Sequence, residues 1–124
     1  MPVTRSSGHS LGRSHALDHQ PSFRAVIAAA PPLADLARAT SDDDLVRGLA
    51  IACGELVAGF SAPADTPERQ RLHRRAWATV RELDRSLIAV RISKRASAKL
   101  VARAQRAVDK ADVLISTLPG VMLG

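Results

Sequence analysis

Between Pro67 and Leu118 the chain runs through the period of an amphipathic helix twice. Leu72, Ala76, Val80, Leu83, Leu87 and Val90 recur at spacings of four and three, while Arg71, Arg74, Arg81 and Arg85 fall on the opposite face. After a turn expected near Arg91-Ile92-Ser93, Leu100, Val101, Ala104, Val108, Ala111, Ile115 and Leu118 form a second apolar stripe. Lys99, Arg103, Arg106 and Lys110 repeat along a neighbouring face of that helix. Apolar burial draws the two helices together, and the charged faces are left to water, counterions or an anionic partner. Closing the hairpin is expected to bring both sets of cations into one electropositive strip.

Upstream, the pattern is shorter and more broken. Residues 1–21 are rich in Ser, Gly, His and Arg without an apolar period, which predicts a disordered tail ahead of a helical domain spanning 22–124. Phe23, Val26, Ile27 and Ala30 fit a short helix stopped by Pro31-Pro32. Leu33 to Ala39 restart it, with Pro32 at the first helical position and Leu36 inward. Thr40-Ser41-Asp42-Asp43-Asp44 reads as a helix start, with Ser41 as the cap and three carboxylates at the positive end of the dipole. That helix runs to about Phe60, burying Leu45, Val46, Leu49, Ala52, Cys53, Leu56 and Val57, with Gly48, Gly54 and Gly59 allowing close approach. Thr66-Pro67-Glu68 starts the long helix, Ser93 caps the last one, and Lys94 and Arg95 follow in its first turn. Pro119-Gly120 stops it, and Val121 to Gly124 are expected to fray. The fold class is an all-α, up-down antiparallel bundle of four helices, the first short or broken.

Composition narrows the chemistry. Aromatics make up 2% of the 124 residues, with no Tyr, so the core must be aliphatic, which suits close-packed helices. One cysteine, Cys53, excludes an internal disulfide and fits a reducing cytoplasmic setting. No apolar run approaches a membrane span. The net charge of +6 is segregated: residues 67–124 carry +8, 41–66 carry −4 and 1–40 carry +2.

Candidate chemistry is sparse. His15 and His19, four apart with His9 and Asp18 nearby, resemble half a chelating set, but no second ligand cluster follows. The Asp42–Asp44 run serves the helix dipole rather than a divalent cation. Cys53 lies in a buried stripe with no local His to activate it, and His73 sits at a stripe's edge as a structural side chain. No Gly-rich phosphate loop, zinc spacing or nucleophile triad is present, so neither an enzyme nor a cofactor is expected. Trp77 and Ile88 lie off the main stripe. They either widen the core or meet a subunit or partner.

The order of a small-residue helix (LVRGLAIACGELVAGF), a short turn, a long helix with an Arg-Glu-Leu step (HRRAWATVRELDRSLIAVR), an Ile-Ser turn and a last amphipathic helix before Pro-Gly resembles a known family. It is similar to the bacterial four-helix-bundle family of proteins encoded in 23S rRNA intervening sequences. The accessory variability determinant of diversity-generating retroelements belongs to the same family. The resemblance covers about Leu45 to Leu123. It implies a non-enzymatic homo-oligomer of five subunits that binds RNA or DNA and, in the retroelement branch, engages a reverse transcriptase. The positions available for phosphate contact are Arg71, Arg74, Arg81, Arg85, Lys94, Arg95, Lys99, Arg103, Arg106 and Lys110. No aromatic is interleaved with these cations in sequence, so base stacking is not expected, and no recognition helix is evident. The other reading is a helical protein–protein adaptor, its arginines solvated and its interface at Trp77 and Ile88.

Overall fold

The computed structural model describes residues 17–122, and these form an all-α bundle. Its helices are α1 (Pro21–Ala28), α2 (Ala30–Thr40), α3 (Asp44–Ser61), α4 (Pro67–Ser93) and α5 (Ala98–Ser116). The prolines explain the break between α1 and α2. Pro31 and Pro32 supply no N–H and cannot continue α1, but they fit the first turn of α2, where N–H groups have no helical partner anyway. The two short helices act as one bent arm. That arm packs on α3 and α5, while α4 packs on α3 and α5 from the opposite corner. The result is a square bundle in which chain neighbours are spatial neighbours and the last helix closes onto the first.

Aliphatic side chains fill the centre. Leu33, Leu36, Leu45, Leu56, Leu87 and Ile115 are fully buried, joined by Val26, Val80, Val90 and Val108. Gly48 and Gly59 let α3 approach α4 closely. A Cβ on Gly48 would lie 2.9 Å from Leu83 Cδ2, and one on Gly59 would lie 2.3 Å from His73 Cδ2. Gly54 has nothing within 4 Å of where a Cβ would sit, so it plays no part in this approach.

Several sequence expectations are corrected. Ser41 does not cap α3: it closes α2 in a left-handed conformation, and α3 starts at Asp44. The Asp42 carboxylate accepts from the Asp44 N–H instead (3.1 Å). Serine favours helix starts, so a left-handed Ser41 that ends α2 leaves no signal in the sequence. Likewise α4 continues through Ser93, and the turn falls at residues 94–97 with Lys94 left-handed. Ser97, not Ser93, caps α5, accepting from the Leu100 N–H at 3.2 Å. Lys94 and Arg95 therefore lie in the connection, where a cation just past the C-terminus of α4 is favoured by the dipole. Ile27, Ala30 and Val46 are exposed rather than inward, and Cys53 and Val57 are half-buried. Val121 does not fray: it is buried, and Arg74 Nη1 donates to the neighbouring Gly120 carbonyl at 3.2 Å. His9 and His15 lie outside the described residues, as does the tail through residue 16. Among the described residues no cluster could hold a metal ion, and no helix is long and apolar enough to cross a membrane.

Candidate nucleic-acid interface

The cations predicted on two stripes do not meet in one strip. On α4, Arg74 and Arg81 border the seam with α5, Arg85 is exposed, and each is engaged. Arg74 holds the Gly120 carbonyl, the Arg81 guanidinium lies 4.9 Å from the Trp77 ring centroid, and Arg85 pairs with Glu82. Arg71 is exposed and pairs with Glu68 one turn earlier (2.8 Å). The seam itself is acidic. Trp77 Nε1 donates to Asp112 at 2.6 Å, and Gln105 Nε2 donates to both Asp84 and Asp109. Helical periodicity places the α4 arginines on one side of this seam but cannot say which neighbour borders them. That missing relation is why convergence was expected.

Two of the α5 cations, Arg103 and Lys110, turn the other way, toward the bent arm. Arg103 lies 3.7 Å from Asp35 on α2, a carboxylate already paired with Arg38. Lys110 lines a cleft with α1. Lys99, Arg106 and Lys110 are exposed and have no carboxylate within 4 Å among the described residues, and the same holds for Lys94 and Arg95. Arg95 makes only a 3.1 Å bond from Nε to the Ser93 hydroxyl. From Lys99 to Lys110 this face extends about 16 Å at 1.5 Å per residue. What remains of the predicted site is thus one cationic strip on α5, continued past its N-terminus by the connection.

Trp77 is half-buried and packs against the core, and its bond to Asp112 ties α4 to α5. Its place is that of a seam residue. The apolar surface beyond it is Ile88, 37% exposed, and Ile92, 73% exposed, one turn further along α4. Sequence reasoning did not single out Ile92 because it was assigned to the turn.

Two further side chains carry chemistry the sequence had flagged. Burial pushes the Cys53 thiol up from its ordinary value, which disfavours the thiolate a nucleophile would need. His73 is almost wholly buried against Phe60, ring centroids 4.5 Å apart, and its Nε2 has no hydrogen-bond partner. Desolvation lowers its pKa, the Arg69 guanidinium lowers it further, and a backbone hydrogen bond with Leu56 works in the opposite sense. The imidazole is therefore neutral in the folded state at pH values where the unfolded chain is already protonated. Stability is full above the ordinary histidine value of about 6.5 and falls as pH drops below it, because the unfolded state then binds the extra proton. Urea midpoints measured from pH 7.5 down to 5.5 should fall for the native chain, and His73→Gln should flatten that decline. An unchanged slope in His73→Gln would assign the pH effect to other groups.

Comparison with family models, curated proteins and solved structures finds no match for this chain. Its functional reading therefore rests on its own residues and geometry.

Proposed function

We propose that this protein is a non-enzymatic, basic helical bundle that binds nucleic acid through its phosphates. The observation that carries this reading is the row of unpaired cations, Lys94, Arg95, Lys99, Arg106 and Lys110, along one face of α5 and its leading connection. A solvated basic face usually places acids among its cations, as α4 does with Glu68 and Glu82. On this strip, by contrast, the acids nearby make no ion pair with Lys99, Arg106 or Lys110 among the described residues: Asp35 is shared between Arg38 and Arg103, and Asp109 accepts from Gln105. The helical part of the strip, about 16 Å long, is long enough to meet more than one phosphate of the same strand. Contacts of this kind position a strand without reading its bases. The resemblance described above adds two elements to the proposal: assembly into a homo-oligomer of five copies and a reverse transcriptase as protein partner. The proposal includes a cytoplasmic setting, which the single cysteine, Cys53, supports.

Fluorescence anisotropy against a 20-nucleotide strand and its duplex, across a salt series, tests the reading. With about four phosphates neutralised, log K should fall against log salt with a slope between about −3 and −4 on duplex, roughly a hundredfold between 50 and 200 mM. Arg106→Glu with Lys110→Glu should abolish most of the affinity and at least halve the slope. Arg71→Gln, at a position already paired with Glu68, should leave both unchanged. Absence of salt-sensitive binding sinks the proposal.

The second reading, a protein–protein adaptor, is favoured by Ile88 and Ile92, exposed side by side beyond the Arg81–Trp77 stack. Ile92→Glu should abolish a protein contact there and leave the salt series untouched.

A further inference from the structure

Where the cationic strip ends, the fold supplies an aromatic that no sequence spacing links to it. A cleft of about 610 Å³ opens between α1 and α5, lined by Phe23, Arg24 and Ile27 on one wall and Lys110 and Leu114 on the other, with Asp18 at its mouth. Phe23 is half-buried and is not among the side chains packed on the bundle core, unlike Phe60 and Trp77. Ile27 beside it is 48% exposed. Two apolar side chains of α1 thus face a cleft rather than the interior, flanked by the guanidinium of Arg24 and the ammonium of Lys110.

The chemistry of this cleft is not that of a phosphate site. Phe23, Ile27 and Leu114 give it apolar surface between the cations Arg24 and Lys110, and the Asp18 carboxylate disfavours a phosphate inside it. What suits it is a flat, uncharged, aromatic group attached to an anionic backbone held just outside. A nucleobase from a strand lying on the α5 cations has those properties, and its face can stack on the Phe23 ring. A duplex keeps its bases stacked inside and cannot offer one without unpairing.

We infer, resting on the nucleic-acid reading above, that the protein prefers single-stranded nucleic acid and seats one unstacked base against Phe23 in the α1–α5 cleft. The strip from Lys99 to Lys110 tracks the phosphates, and the cleft takes a base at its end. This reverses the expectation that base stacking plays no part. Phe23 and Lys110 are far apart in sequence and come together only because the last helix closes onto the first.

Anisotropy on the full chain tests it, with a 20-nucleotide single strand and a matched duplex at equal salt, for the native protein, Phe23→Ala and Phe23→Leu. The single strand should bind about tenfold more tightly than the duplex. Both variants should lose about tenfold on the single strand with duplex affinity and salt slope unchanged, since stacking a base is an uncharged interaction. Phe23→Leu keeps the apolar bulk and loses the ring face, so its loss separates stacking from packing. A 2-aminopurine at the seated position should brighten as it leaves its neighbours on binding the native chain, and should brighten less with Phe23→Leu. Equal binding of strand and duplex, or Phe23→Leu matching the native protein, overturns this inference and leaves the phosphate reading standing. Failure of both nucleic acids to bind overturns both readings.

Discussion

Gly59→Ala will destabilise the bundle by about 3 kcal/mol, at the upper end of what overpacking costs. The added methyl would sit 2.3 Å from His73 Cδ2 and 2.4 Å from its Nε2. The imidazole cannot retreat by a simple rotation, because it is a rigid ring packed against Phe60 in a site with almost no solvent access. Either α3 and α4 separate, loosening the neighbouring Leu56 and Ala76 contacts, or the ring leaves its rotamer. Helix propensity pulls in the opposite direction by about 1 kcal/mol, since alanine is the better helix former, but the steric term is larger. Gly54→Ala isolates the propensity term: with no atom near its Cβ position, that change should stabilise the protein by up to about 1 kcal/mol. Urea denaturation of the two variants should therefore move the midpoint in opposite directions. In a His73→Ala background the Gly59→Ala penalty should largely vanish, a non-additivity expected of residues in contact. Equal stability of the two alanine variants would show that α3 and α4 have slack the packing does not reveal.

Leu36→Ala will cost about 3 kcal/mol, as much as Leu87→Ala in the long helix. Leu36 lies on α2, in the half of the bent arm that starts at the two prolines, and is fully buried, as Leu87 is. An arm that merely leaned on a three-helix core would lose far less. The cavity left behind has few ways to close, because the surrounding side chains are aliphatic and already interdigitated at crystal-like density. A loss below about 1 kcal/mol for Leu36→Ala would mean that the arm is loosely docked.

The fold was readable where a side chain's role follows from its own helix. Ala76, Val80, Leu83, Leu87 and Val90 are all buried along α4, and Thr66 caps it by accepting from the Arg69 N–H at 3.2 Å. It was unreadable where one residue type serves two local purposes. Sequence pattern makes both Ser41 and Ser93 fit helix starts, yet Ser41 ends α2 and Ser93 is still inside α4. Glycine, the usual left-handed helix terminator, is absent from both places, and Ser41 and Lys94 take that conformation instead. The candidate site followed the same rule. Each basic stripe was visible from spacing, but whether two stripes face each other depends on which neighbour lies beside each helix. Here Arg74 and Arg81 of α4 border a seam held by Asp84, Asp109 and Asp112, and Arg103 and Lys110 of α5 turn to the bent arm. Spacing places Phe23 on a short helix with Val26 and Ile27 but leaves open which of them face inward. A single turn of apolar residues does not define which side is inward.

The seam tryptophan also decides what optical experiments can see. With no tyrosine in the chain and a single indole, intrinsic emission comes almost wholly from Trp77, whose surroundings are Arg81 and Asp112. Fluorescence thus watches α4 part from α5 and is blind to the bent arm on the far corner, whereas far-ultraviolet dichroism counts every helix. Matching curves from the two signals would certify one cooperative unit, and an earlier dichroism loss would expose the arm peeling away first.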